Sequence, residues 1–135
     1  MALNDDRFPE MFQISVKWIL DSSASKHFCG KDQAAAFKEH IRTVKATRVS
    51  TAAGSVVMNQ AIIAKFGELD VKQEVKILPD SPALMSMGQI VQEGYSFYWN
   101  YGHMPCLVSA NSSRVFVLDT IGGLPMIVKG GIFDK

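Results

Sequence analysis

The stretch Trp18-Ile19-Leu20-Asp21-Ser22-Ser23-Ala24-Ser25-Lys26 joins an apolar segment to a run of small polar residues. Upstream of it, hydrophobic and polar residues alternate, which predicts a half-buried strand through Phe12, Ile14, Val16 and Trp18. Because the segment becomes apolar on both faces just before Asp21, we expect the strand to enter the core there. From this local pattern alone, Asp21 is better interpreted as a turn aspartate that caps a loop after a buried strand.

The length and composition of the chain indicate a single packed domain. The chain has 135 residues, of which 47% are hydrophobic and 20% charged, and its net charge is +1. This suits one domain with a packed core and gives no reason to expect nucleic acid or an anionic membrane as a partner. The N-terminal residues Met-Ala-Leu-Asn-Asp-Asp do not have the pattern of a signal peptide, so we expect an intracellular, cytoplasmic protein.

The middle of the chain is predicted to be mainly β. Arg42 to Ser50 and Ser55 to Phe66 form a long hairpin, joined by the turn Thr51-Ala52-Ala53-Gly54, and residues 71–78 follow as a strand. Residues 32–41 are interpreted as a short helix with Asp32 as its N-cap and Ala36, Phe37 and Ile41 inward, or as a non-helical loop.

One firm helix is predicted in the second half. Ser81 is its expected N-cap, Pro82 its first residue and Gly94 its stop, and the residues expected to face the core are Leu84, Met87, Ile90 and Val91. Three further strands are predicted at Tyr95 to Trp99, Met104 to Ser109 and Arg114 to Leu118. Residues 119–135 are expected to extend the sheet, to form a dimer interface or to be a loose tail.

Two segments carry a resemblance to a known family. The stretch from Trp18 to His27 is similar to the pattern W-hydrophobic-hydrophobic-D-S-G-A-S-x-H, and residues 78–95, from Leu78-Pro79 to Gly94-Tyr95, to P-x-L-L-S-V-x-Q-L…G-Y. Both patterns belong to the retroviral-type aspartic proteases (retropepsins), in particular those of copia-type retrotransposon polyproteins. The resemblance covers about residues 12–118 and shifts the interpretation of Asp21 from a turn residue to a catalytic carboxylate.

The resemblance implies a retropepsin-like closed β-barrel with one short helix, a single domain over residues 1–135, acting as a homodimer on an extended peptide or polyprotein. A retrotransposon particle within the cell is the location that it adds to the cytoplasm. Asp21 of each subunit would activate water, and Ser22 would link the two loops by hydrogen bonds. Ser23 and Ala24 complete the active-site loop. The hairpin tip would be the substrate-binding flap, formed by Thr51, Ala52, Ala53, Gly54 and Ser55. No cofactor, metal, nucleic acid or membrane is implied.

Ser23 stands where the family pattern has glycine. A positive φ at this position would strain a serine by on the order of 1–3 kcal/mol, whereas an ordinary φ would leave only a question of steric room. Three interpretations follow: an active protease that tolerates Ser23, a catalytically inactive relative that binds peptides as a dimer, or an engineered change.

Other candidate residues receive structural interpretations. Cys29 and Cys106 are read as partly buried free thiols, and a zinc site built from His27, Cys29, His103 and Cys106 is the weaker alternative because its spacing is unusual. His27 and His40 are read as ordinary surface or loop residues. Asp119 also follows an apolar run, but too few residues follow it for a second lobe, so it is read as a turn residue that ends a strand.

Overall fold

The structure is a computed structural model that describes residues 8–51, 54–111, 113–128 and 133–134. Its helices are α1 (Met11–Ile14), α2 (Lys31–Ala34) and α3 (Met87–Gln92), and 3-10 turns span Ala35–His40 and Gly67–Leu69. The strands, in chain order, are β1 (Lys17–Asp21), β2 (His27–Gly30), β3 (Arg42–Thr51), β4 (Gly54–Phe66), β5 (Val71–Leu78), β6 (Leu84–Ser86), β7 (Tyr95–Tyr98), β8 (Cys106–Ser109), β9 (Val115–Val117), β10 (Asp119–Ile121), β11 (Leu124–Val128) and β12 (Phe133–Asp134).

Internal contacts divide the chain into two units. The first combines the residues up to Ile14 with Phe28–Pro82, and the second combines Ser15–His27 with the residues from Ala83 onward. Each unit is therefore built from two separate stretches of the sequence, so local sequence patterns alone do not define either unit.

The predicted hairpin is the centre of the first unit, where the strand order is β2-β5-β4-β3. Strands β3 and β4 pair antiparallel from Arg42 with Ala61 to Thr51 with Gly54, with an irregularity between Thr43 and Thr47. Strand β5 continues the sheet, as predicted, through the pair Phe66 and Val71. One face of β4 is buried, through Met58, Ile62, Ala64 and Phe66. The alternating pattern correctly predicted β4 because that face packs in the core.

The prediction of a strand from Phe12 onward is wrong, because Met11–Ile14 form the helix α1 and β1 begins only at Lys17. Val16, which the alternation placed inward, is 60% exposed. The Phe12 ring packs on Phe66 with ring centroids 5.4 Å apart. The carboxylate of Glu10 accepts hydrogen bonds from the backbone N–H of Phe12 and from that of the distant Gly67. These contacts with distant residues favour a helical turn over the strand that the alternation predicts.

The short helix predicted over 32–41 is also corrected. α2 covers only Lys31–Ala34 and then changes to the 3-10 turn. Gly30, not Asp32, occupies the N-cap position, where its N–H donates to Gln33 Oε1 at 2.8 Å. Ala34 is the buried residue, whereas Ala36 is exposed.

Strand β1 lies inside the sheet of the second unit, whose order is β10-β11-β1-β6. It pairs antiparallel with β11, through Trp18 and Ile127, and parallel with β6, through Asp21 and Ser86. Of the alternatives left for the C-terminal segment, residues 119–128 extend the sheet, because β10 and β11 form a hairpin there and Ile127 is fully buried.

A second sheet of this unit has the order β12-β9-β8-β7. Its strands β7, β8 and β9 confirm the three strands predicted between Tyr95 and Leu118, with shorter bounds. Leu107 and Phe116 face each other across β8 and β9 and are almost completely buried. These side chains anchor the sheet to its core.

The predicted single helix starts late and is not the only helix. Residues Leu84–Ser86 form β6 before α3 begins at Met87, and Ser86 rather than Ser81 is the N-cap. Val91, expected inward, is 47% exposed, whereas Ile90 is buried as predicted. Gly94 follows the helix with φ +105°, which confirms it as the stop.

The mainly β class is confirmed. The strands form open sheets in the part of the chain that the structure describes, and a closed barrel is not among the pairings found there. The same described residues include no helix long and apolar enough to cross a membrane.

Candidate functional site

The Asp21 loop, residues 21–26, emerges from a firmly anchored strand. Trp18 and Leu20 are buried, and the Trp18 indole donates to the backbone carbonyl of Ser15 at 3.2 Å. Asp21 is the last residue of β1 and is half-buried, while Ser22 and Ser23 are exposed. A carboxylate therefore sits at the end of a rigid strand and at the start of an accessible loop.

The Asp21 carboxylate is held by its own loop. Its Oδ1 accepts hydrogen bonds from the backbone N–H of Ser23 at 2.8 Å and from the Ser23 hydroxyl at 2.7 Å. A bond from an aspartate to the N–H two residues on is an Asx turn, which favours this tight loop. The serine that replaces the expected glycine thus binds the carboxylate itself.

The backbone at Ser23 is not strained. Among the described residues, Asp70 is the only one other than glycine that has a positive φ. Ser23 is therefore outside the left-handed region. Its φ is ordinary, so a serine at this position raises only the question of steric room. What the serine changes is the surroundings of the carboxylate rather than the shape of the loop.

Ser86 ties this loop to the core. Its hydroxyl donates to the backbone carbonyl of Ala24 at 2.7 Å and accepts from the backbone N–H of Gln89 at 3.2 Å. The residue is completely buried, and it also pairs with Asp21 across β1 and β6. Ser86 thus caps α3 and fixes the middle of the loop with one hydroxyl group.

The interpretation of His27 as a surface or loop residue is wrong. His27 is completely buried, and its Nδ1 accepts a hydrogen bond from the backbone N–H of Ser86 at 3.0 Å. An accepting Nδ1 carries no proton, so the neutral ring has its proton on Nε2. His40 is half-buried at the end of the 3-10 turn, with its ring 6.4 Å from that of Phe37.

The residues of the predicted flap lie at the tip of the β3–β4 hairpin. Thr51 and Gly54 are its last backbone pair, Gly54 has φ +121°, and Gly54 and Ser55 are exposed. A side chain at this φ would be strained, so the turn depends on glycine. Ala52 and Ala53 lie outside the described residues.

The two cysteines differ in their surroundings. Both are free, and burial raises the pKa of the Cys29 thiol from 9.0 to about 12, while Cys106 is half-buried. Below about pH 9 the neutral Cys29 thiol is therefore compatible with the fold. Between pH 9 and 12 the unfolded chain would ionise more readily than the folded one, so this group would lower stability there.

No metal centre is found among the described residues, which contain no group of three or more His, Cys, Asp or Glu side chains that could hold an ion. His103 and Cys106 instead line a cavity of about 350 Å³ with Tyr98, Met104 and Val117. Asp119 is exposed and begins β10, so it starts a strand rather than ending one.

Sequence reasoning missed Ser86 and the role of His27. A signal for Ser86 was present, because Ser86-Met87-Gly88-Gln89 has the S-x-x-Q spacing of a capping box, in which the serine accepts from the N–H three residues on. No local signal marked His27, since its bond to Ser86 joins residues 59 positions apart.

Comparisons of the chain with protein-family models, with curated proteins and with solved structures found no match.

Proposed function

We propose that this chain is an aspartic endopeptidase of the retropepsin type, which acts as a homodimer and cleaves a polyprotein, such as that of a retrotransposon. The observation that carries the proposal is the position of Asp21, a half-buried carboxylate at the end of a buried strand, in a loop of small residues that is anchored to the core. The resemblance of residues 18–27 and 78–95 to the family patterns agrees with this position.

The chemistry needs two such carboxylates. Two Asp21 side chains within hydrogen-bond distance of each other would share one proton, because like charges that close cannot both ionise comfortably. The ionised carboxylate would take a proton from a water molecule, and the protonated one would donate a hydrogen bond to the peptide carbonyl. The retropepsin-like barrel, the cross-dimer bonds of Ser22 and the flap role of residues 51–55 belong to this proposal.

Asp21→Asn tests the proposal. The amide oxygen of asparagine can still accept from the N–H of Ser23, so the loop is expected to keep its shape while the general base is lost. We expect cleavage of a mixed peptide library, followed by mass spectrometry, to fall at least 100-fold, a typical loss for a missing acid–base group.

Asp119→Asn is the matched control, because Asp119 also follows an apolar run but is exposed in β10. Its cleavage rate is expected to equal that of the unchanged protein. Equal cleavage by the Asp21→Asn and Asp119→Asn proteins would contradict the proposal.

A second function is favoured by one observation. The Ser23 hydroxyl lies 2.7 Å from Asp21 Oδ1 and so occupies an acceptor site that an attacking water would use. The alternative is a dimeric, non-catalytic module that binds extended peptides. It predicts that library peptides are retained by the protein without being cut, whereas a protease releases shortened products.

A further inference from the structure

We propose that Ser86, together with His27, positions the Asp21 loop. The effect of Ser86 on catalysis rests on the proposed function, whereas its effect on the loop does not. The hydrogen bonds within the loop join residues that are close in the sequence. Ser23 fixes the Asp21 carboxylate relative to the loop, through two bonds that span two residues each. Local bonds of this kind do not fix the loop relative to the core.

Ser86 supplies that link, because it meets residues 21–27 at three points. Its backbone lies opposite Asp21 in the parallel pairing of β1 and β6. Its hydroxyl donates to the carbonyl of Ala24, and its N–H donates to His27 Nδ1. The beginning, the middle and the end of this segment are therefore held by one residue.

The Ser86 hydroxyl is itself fixed in orientation. It is completely buried and accepts from the N–H of Gln89, so its proton points to Ala24. A buried hydroxyl used once as donor and once as acceptor has little freedom to rotate. This makes Ser86 a rigid support that joins the first turn of α3 to the loop.

His27 completes the support. A neutral Nδ1 is a strong acceptor for the N–H of Ser86, and the ring is completely buried. The bond also fixes the register of the chain at the end of the loop, where β2 begins. Displacement of a catalytic group by 1 Å can lower the rate by about 100-fold, so a support of this kind has a catalytic consequence.

Ser86→Ala is the decisive variant, because it removes the hydroxyl and keeps the backbone N–H that binds His27. We expect kcat to fall about 10- to 100-fold while KM changes less than about twofold, because the loop would still exist but would sample misplaced positions. Amide hydrogen exchange at residues 22–26 is expected to become at least about tenfold faster, with exchange in β4 and β5 unchanged.

Two further variants test whether the effect belongs to the Ser86 hydroxyl. Ser81→Ala is the matched control, because Ser81 also donates its hydroxyl to a backbone carbonyl, that of Pro82, but lies away from the loop in sequence and outside its hydrogen bonds. It is expected to leave kcat and loop exchange unchanged. Ser86→Thr keeps a hydroxyl and is expected to recover part of the kcat and of the loop protection.

The exchange measurement separates the two proposals. If the unchanged protein cuts no peptide, the proposed function fails, and loop exchange alone then decides the role of Ser86. Unchanged exchange at residues 22–26 in Ser86→Ala would overturn the positioning role. Faster exchange throughout β4 and β5 as well would also overturn it, because Ser86 would then support the whole fold rather than the loop.

Discussion

At the scale of single residues, Ser23 changes the chemistry of the loop without changing its backbone. Its φ is not positive, so the position does not require glycine, yet its hydroxyl binds the Asp21 carboxylate at 2.7 Å. A glycine here would keep the bond from the backbone N–H and remove only the one from the hydroxyl. The serine therefore competes with water for the carboxylate rather than distorting the loop.

Ser23→Gly is expected to raise peptide cleavage at least tenfold, because an Asp21 oxygen becomes available to bind the attacking water. The same change is expected to lower the free energy of unfolding by about 0.5–1 kcal/mol through the greater freedom of glycine in the unfolded chain. Initial rates with a library-derived peptide and urea unfolding curves measure the two effects.

Ser25→Gly is the control, because Ser25 is exposed in the same loop and carries a similar entropic cost. Its cleavage rate is expected to stay unchanged. If the Ser23 and Ser25 variants cleave at the same rate, the Ser23 hydroxyl does not limit activity. If only Ser23→Gly cleaves and the unchanged protein does not, the peptide-binding alternative describes the present chain.

At the scale of elements, a strand or helix was predicted correctly where its partners lie close in the sequence. The strands β4 and β5 were predicted because each buries one face, which alternation records directly, and β3 because it pairs with β4 through a short turn. The helix was predicted to begin at Pro82, but residues 84–86 pair in parallel with β1, more than sixty positions away in the chain. A helical period was present there, and a distant partner strand overrode it.

The junction of β2 and α2 offers a test of element packing. A Cβ added at Gly30 would lie 2.7 Å from the backbone carbonyl oxygen of Ser81, which cannot move aside cheaply. We therefore expect Gly30→Ala to lower the free energy of unfolding by about 1–3 kcal/mol, as overpacking does. Urea unfolding followed by circular dichroism gives the value.

Gly88→Ala is the opposite case. Gly88 is exposed in α3, and the nearest atom to an added Cβ is Ser86 Oγ at 3.9 Å. Alanine in a helix is more favourable than glycine by up to about 1 kcal/mol, so this variant is expected to be slightly more stable. A Gly30→Ala protein as stable as Gly88→Ala would show that Gly30 does not pack against Ser81.

At the scale of the whole molecule, the proposed chemistry requires a second copy. The chain has one segment of the form Asp-Ser-Ser-Ala-Ser, at residues 21–25, while Asp119 lies exposed in β10, so the proposed pair of carboxylates needs two Asp21 residues from two chains. Assembly would then control activity, and both would depend on the protein concentration.

We expect sedimentation equilibrium to give twice the chain mass of 14.9 kDa, and Tm and specific activity to rise with protein concentration. Adding an excess of the Asp21→Asn protein is expected to lower the activity of the unchanged protein, because mixed dimers lack one carboxylate. Constant specific activity from a monomeric protein would contradict the two-chain mechanism.

The sequence by itself determined the mainly β class, the hairpin of residues 42–66 and the position of Asp21 at the end of a strand. These features depend on neighbours in the chain, where alternation, turn residues and an apolar run act locally. Only the tertiary structure decided that α1 replaces a strand, that His27 is buried and that Ser86 holds Ala24. The hydrogen bonds involved, from Gly67 to Glu10, from Ser86 to His27 and from Ser86 to Ala24, join residues 57, 59 and 62 positions apart. Such pairings are set by how the segments pack together rather than by local periodicity.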